Sequence, residues 1–169
     1  MRVFNERQWF NQWWLQLLNL GLLGLLGYML YSWYIVEKPT GNVASDDHVA
    51  QWIVIPIMVL SILIMYIFKL STSIDEKGIR YRFFPFHRSF RTVPWSDMQS
   101  CSVRTYSPIT EYGGWGLKGI SKKNRAVNVK GNQGIQIVLK NGDKLLIGTQ
   151  RSKEAQQVID RYFKTTYQS

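Results

Sequence analysis

The chain has a single cysteine, Cys101, so it can form no internal disulfide and no cysteine-based zinc site. It has two histidines, His48 and His87, set far apart. His48 stands beside Asp46 and Asp47 in a short polar stretch that offers no further ligands, and this makes a poor metal site. No nucleophile stands beside a base at a recognisable spacing, and the Walker spacing is missing. Acid is scarce: 11 Asp or Glu against 21 Lys or Arg give a net charge of +10. Charge is missing altogether from the middle of two long apolar runs. Ionisable groups inside a membrane mark ion and proton paths, so their absence argues against transport by this chain alone.

Those two runs cover residues 15–36 and 49–70, and Lys69 is their only charge. A bilayer core needs about 20 apolar residues as a helix, so each run is long enough to span. Arg2 and Arg7 flank the first, Lys69 and Lys77 flank the second, and the connection 37–48 has Lys38 against three acids. Cytoplasmic flanks retain Lys and Arg, which puts both termini inside and residues 37–48 outside. A cleaved signal peptide is the rival reading of the first run. That run exceeds the usual h-region of about 7–15 residues, and its n-region is only weakly basic.

Aromatic residues cluster at the ends of both runs. Trp9, Phe10, Trp13 and Trp14 precede the first, Trp33 and Tyr34 close it, and Trp52 opens the second. Such rings favour the membrane interface, so residues 1–14 are expected as an interfacial segment, with a short amphipathic surface helix over residues 4–14 as a variant. Gly21, Gly24 and Gly27 recur every three residues and make a flat strip for close helix approach. It is expected to face the second run, with a homo-oligomer or a partner helix as the alternative. Pro56 is a candidate kink.

After residue 70 the apolar period changes from helical to alternating. Of the net charge, +10 resides in residues 71–169, where 17 Lys or Arg stand against 7 Asp or Glu. Ile79, Tyr81 and Phe83 alternate with Arg80 and Arg82, Cys101 and Val103 with Ser102 and Arg104, and Ile135, Ile137 and Leu139 with their neighbours. Asn141-Gly142 is a strong hairpin signal before a return strand at 144–149. Together with strands at 71–75, 89–94 and around Val127, the pattern predicts seven strands in meander order. Ser152 is the expected N-cap of a closing helix, with Glu154 in its first turn and Ala155, Val158, Ile159, Tyr162 and Phe163 on one stripe. Cys101 is expected as a buried side chain and His87 as a turn residue.

Pro94-Trp95-Ser96-Asp97-Met98, and Lys144-Leu145-Leu146-Ile147-Gly148-Thr149-Gln150 leading into a helix, resemble the bacterial pleckstrin-homology-like domains of small membrane proteins. Tyr112-Gly113-Gly114-Trp115-Gly116 and Asn128-Val129-Lys130-Gly131 resemble a subset of uncharacterised bacterial two-span proteins carrying such a domain. The resemblance covers residues 15–169. It implies an α+β membrane protein: a two-helix transmembrane hairpin, then a pleckstrin-homology-like seven-stranded curved sheet or barrel over 71–169, capped by an amphipathic helix. It implies the bacterial inner membrane and brings no catalytic, cofactor or metal residues.

Two readings remain open for the glycine-rich stretch 112–119. One is a structural turn with Trp115 packed on the sheet. The other is an exposed loop at a membrane or partner site, with Trp115, Lys118, Lys122, Lys123 and Arg125 as its surface. Anionic lipid headgroups suit that surface better than nucleic acid, since no nucleic-acid-reading signature is present. A merely solvated basic face is the plainer alternative. The expected function is a non-enzymatic membrane protein presenting a basic domain to a protein partner or to headgroups, or else an accessory subunit assembled through its hairpin. A membrane-bound enzyme is the remaining class.

Overall fold

The computed structural model describes residues 3–119 and 123–167, and side chains up to residue 163. In chain order the elements are β1 (Phe4–Trp9), α1 (Trp13–Tyr34), α2 (His48–Ile67), β2 (Lys69–Asp75) and β3 (Gly78–Phe84). Next come β4 (Arg91–Pro94), a 3-10 turn (Trp95–Asp97), β5 (Met98–Thr105) and α3 (Pro108–Tyr112). The chain finishes with β6 (Gly116–Lys118), β7 (Asn124–Asn128), β8 (Gln133–Leu139), β9 (Lys144–Gly148) and α4 (Ser152–Tyr167). The protein is thus α+β, with two long apolar helices and two sheets. It divides into two compact units: one runs from Phe10 to Ile67, and the other joins the stretch ending at Trp9 to the stretch beginning at Phe68.

In the helical unit, α1 has 22 residues and α2 has 20. At 1.5 Å per residue they reach about 33 and 30 Å. Buried or half-buried positions run along α1 at Leu15, Asn19, Leu22, Leu26, Met29 and Trp33, with the buried Ser32 beside them, and along α2 at Gln51, Ile55, Met58, Ile62 and Met65. Both sets step by alternating threes and fours, which makes one coiled-coil-like seam on each helix. Asn19 donates from Nδ2 to the Ile62 carbonyl across that seam at 3.4 Å. Asp47 caps α2 by accepting the Ala50 N–H, and the buried Gln51 donates to the Ala44 and Ser45 carbonyls. His48 lies 3.4 Å from Gln51. α2 continues through Pro56.

Gly21, Gly24 and Gly27 do not face α2. They are exposed, and a Cβ added at any of them would meet nothing within 4 Å. A three-residue step drifts off a seam that needs alternating threes and fours, so the glycines fall on the outer face. Around them the surface is apolar: only 17% of the apolar window of α1 and 11% of that of α2 is buried.

The second unit takes in the N-terminal segment. Residues 4–9 are not part of a surface helix but an edge strand, and β1 pairs with β2 along its whole length, from Phe4 opposite Ile74 to Trp9 opposite Lys69. The first sheet is antiparallel in the order β1-β2-β3-β4, and the second has the order β5-β8-β9-β7-β6. Nine strands among the described residues thus replace the seven expected, and the sheets are open. The meander also fails in the second sheet, where β5 pairs with β8 and β7 runs parallel to β9. Four residues, 140–143, connect β8 and β9: the Gly142 N–H returns to the Leu139 carbonyl, and Gly142 takes a positive φ of 85°, which a Cβ would resist. Asn141-Gly142 therefore sits in a longer bulged hairpin rather than a two-residue turn.

Ile135, Ile137, Leu145 and Ile147 on the inner face of the second sheet, Leu70, Ile74, Ile79 and Phe83 from the first, and Ala155 and Ile159 of α4 are all buried. α4 begins at the expected cap itself, one residue early: Ser152 is its first residue and Arg151 holds the cap position, its carbonyl accepting the Ala155 N–H and its side chain pairing with Glu154. Gln156 of α4 accepts the Val103 N–H at 2.7 Å, and Phe163 packs on Trp95 at 5.9 Å between ring centroids. Cys101 is buried, and burial pushes its thiol up to about 12.

The inward residues of β1 are Phe4, Glu6 and Gln8. Glu6 Oε2 accepts the Thr149 hydroxyl at 2.7 Å and Oε1 the Gln150 N–H at 2.8 Å, while Gln8 donates to the Gly148 carbonyl at 2.7 Å. Arg151 donates to the Asn5 carbonyl and covers the Phe4 ring. Replacing Glu6→Ala leaves the Thr149 hydroxyl and the Gln150 N–H without their acceptors. The expected loss is about 1–3 kcal/mol, read by chemical denaturation of the full chain. An unchanged midpoint would show that the two Glu6 bonds add nothing to stability.

Candidate functional site

Of the basic residues singled out from the sequence, Lys118 and Arg125 lie on opposite faces of the second sheet. Lys118 on β6 pairs with Ala126, so the two share a face of the second sheet. Arg125, the next residue along β7, faces the other way. Trp115 is half-buried and donates from Nε1 to the Gly131 carbonyl at 3.0 Å, in line with the structural reading of the glycine-rich stretch. Lys123 is exposed, and its carbonyl accepts the Lys144 N–H. Lys122 lies outside the described residues.

Two other assemblies emerge. The outer face of the second sheet is partly covered by the segment following β5. Its α3, absent from the sequence reading, ends at Gly113, whose positive φ of 69° lets its N–H turn back to the Ile109 carbonyl. The buried Tyr106 packs with Ala126 and Leu146 beneath Tyr112. Asn128, also buried, donates to the Tyr106 hydroxyl at 2.9 Å and accepts the Gly116 N–H at 2.8 Å, which pins this cover to the sheet. Burial holds the Tyr106 hydroxyl above its usual range.

Beside the cover lies an open polar cleft of about 380 Å³, lined by Arg104, Glu111, Tyr112, Asn124, Gln136, Val138 and Lys144. Glu111 takes a two-pronged bond from Arg104 at 2.6 and 3.2 Å and the Ser107 N–H at 2.8 Å. The Arg104 bond, then the Ser107 N–H, hold its carboxyl below the usual value. Arg104 also donates from Nε to Gln136 at 3.1 Å. Arg104, the guanidinium of the cleft, is thus already engaged by Glu111 and Gln136.

The first sheet is different. Residues opposite one another in register point to the same face, so Arg7, Ser71 and Arg82 form one row across it, and Trp9, Lys69 and Phe84 the next. The Lys69 ammonium lies 5.0 Å from the Trp9 ring centroid, and the Arg82 guanidinium 4.9 Å from that of Phe90. Arg80 on the same face pairs with Asp75 at 2.7 Å. From residue 77 to residue 96 the chain has five Lys or Arg and no acid. Guanidinium groups over aromatic rings suit phosphate-bearing surfaces.

The turn between β3 and β4 continues from that face. His87 sits in this turn, as expected from the sequence. It is buried, Nδ1 accepts the Phe83 N–H at 3.3 Å, and its ring meets Tyr81 edge-on at 5.7 Å. Burial, then the charges of Arg91 and Arg125, hold its pKa below 6.5. The sequence carries a signal here: Phe84, Phe86 and Phe90 crowd the stretch around Pro85.

A family model matches residues 3–164, and the chain belongs to that family, a family of unknown function (DUF6141). No curated protein matches it.

The depressed His87 predicts acid sensitivity. Above pH 6.5 both folded and unfolded forms are neutral at this site, and the full stability is present. Below it the unfolded chain takes up the proton first, so stability falls until the folded pKa is passed as well. Melting temperatures followed down to about pH 5, where most carboxylates remain ionised, are expected to decline. In His87→Gln that decline flattens; an unchanged slope would clear His87 of the effect.

Proposed function

We propose that this family member is a multi-pass protein of the bacterial inner membrane. Its helical hairpin holds a non-enzymatic, pleckstrin-homology-like basic domain at the cytoplasmic face, where it binds a protein partner, anionic headgroups, or both. One observation carries the reading: the domain is interrupted by the hairpin. β1 precedes the first apolar helix, β2 follows the second, and the two strands are paired from end to end. A domain built from both flanks requires both flanks on one side, which two crossings satisfy and one does not. It also speaks against cleavage after the first apolar run, which would sever β1 from its sheet.

The outward apolar faces of both helices support membrane insertion, because a core helix of a soluble protein buries most of its surface. Lys and Arg at the two flanks support the cytoplasmic side for the domain. An antiparallel four-stranded sheet, a second sheet and a closing amphipathic helix support the pleckstrin-homology-like reading. The parallel β7–β9 pair and the fifth strand of the second sheet depart from it.

Accessory-subunit assembly through the hairpin is the second reading, favoured by the exposed glycines on the outer face of α1. It predicts that Gly24→Leu strips co-purifying membrane subunits while the domain stays folded. Retention of those subunits removes the glycine strip from assembly.

Topology tests the main reading. Single cysteines replacing Asn5, Asp46 and Glu76, all exposed, can be labelled in oriented membrane vesicles while the buried Cys101 stays silent. Positions 5 and 76 are expected to react from the cytoplasmic side and position 46 from the other. Labelling of 5 and 76 from opposite sides would overturn the hairpin.

A further inference from the structure

We propose that residues 84–90, the turn between β3 and β4, form an interfacial anchor that lays Phe84, Phe86 and Phe90 into the headgroup layer of an anionic bilayer. This rests on the hairpin reading above.

The row Trp9, Lys69 and Phe84 is the last register row of β1, β2 and β3 at the end of the sheet where the chain leaves toward α1 and returns from α2. The turn projects past that row. Only Phe68 separates the end of α2 at Ile67 from the start of β2 at Lys69. Two residue steps span at most about 7 Å, so this end of the domain is tied at the surface of whatever bilayer holds the hairpin.

The turn is built for such a surface. Phe84, Phe86 and Phe90 are 44%, 61% and 45% exposed. Three exposed phenylalanines in one short turn are costly in water, and rings of this kind settle at the boundary between headgroups and acyl chains. Phe86 does not hang free: it stacks on Phe83 and on Phe68 with centroids 5.9 Å apart in each case. His87, buried beneath, donates its backbone N–H to the Phe83 carbonyl at 2.8 Å and so fixes the turn on the end of β3. Arg88 and Arg91 are exposed beside the rings, and Arg82 covers Phe90. With no acid from residue 77 to 96, the charge complements anionic lipid, each cation adding about 1 kcal/mol near such a surface.

The test uses the full chain in vesicles of phosphatidylcholine with and without phosphatidylglycerol. An environment-sensitive fluorophore is attached singly at Phe86→Cys, at Glu76→Cys on the far end of the same sheet, and at Gly24→Cys on the outer face of α1. Lipids with a nitroxide near the headgroups are expected to quench position 86 about threefold more than position 76, and an aqueous quencher the reverse. Phosphatidylglycerol should deepen quenching at 86, and Arg88→Glu should cancel that gain.

Aqueous quenching at 86 equal to that at 76 overturns the anchor. So does protection at 86 from both quenchers, which assigns the turn to a protein contact. A phosphatidylglycerol effect that survives Arg88→Glu overturns the headgroup role of that residue. Quenching at 24 by a nitroxide near the bilayer centre reports the hairpin separately. Its absence sinks the membrane reading itself, whereas its presence with an exposed 86 sinks only the anchor.

Discussion

The fold of the sheet-bearing unit depends on one carboxylate. Glu6 reaches from the edge strand β1 into the interior and binds Thr149 and Gln150, residues more than 140 positions along the chain. A buried carboxylate without partners is expensive, so these two donors decide whether β1 can turn its polar residues inward at all. Gln8 and Arg151 extend the same seam on either side. The result joins the beginning of the chain to the start of its last helix and closes the domain around everything in between.

Because the joint is made across an inserted hairpin, a local hydrogen bond has a topological consequence. The two apolar helices must leave and re-enter the same unit through adjacent strands. Their seam is lined by Leu15, Asn19, Leu22 and Leu26 on one side and by Ile55, Met58 and Ile62 on the other, so the remaining faces are apolar and turned outward. Water does not suit those faces. A bilayer does, and the proposed function follows from that mismatch together with the shared flank.

The two sheets divide the labour differently from the expected pattern. The outer face of the second sheet is largely committed to its own cover, through Tyr106, Asn128 and the Arg104–Glu111 pair. The first sheet leaves its cations and aromatic rings outward, at the end where the chain joins the helices. Recognition by charge therefore has more scope on the first sheet than on the glycine-rich stretch that drew attention in the sequence. Trp115, the most conspicuous residue of that stretch, is tied to a backbone carbonyl.

Much of the architecture was legible from local pattern. The two long apolar helices, most of the alternating strands beyond residue 70, the β8–β9 hairpin and the amphipathic α4 all announce themselves through periodicity, because each is set by neighbours in sequence. The strand β1 did not, since its inward residues Glu6 and Gln8 are polar and invert the usual alternation; only their distant partners make that burial tolerable. The outward glycines of α1, the parallel β7–β9 pair and the bond from Arg104 to Gln136 are likewise settled by contacts between separated segments. By itself the sequence determined which stretches become helices and strands, and where charge accumulates. Only the tertiary structure decided which faces those elements present, because a face is free or buried according to what packs on it, and here the packing partner of the first strand lies at the other end of the chain.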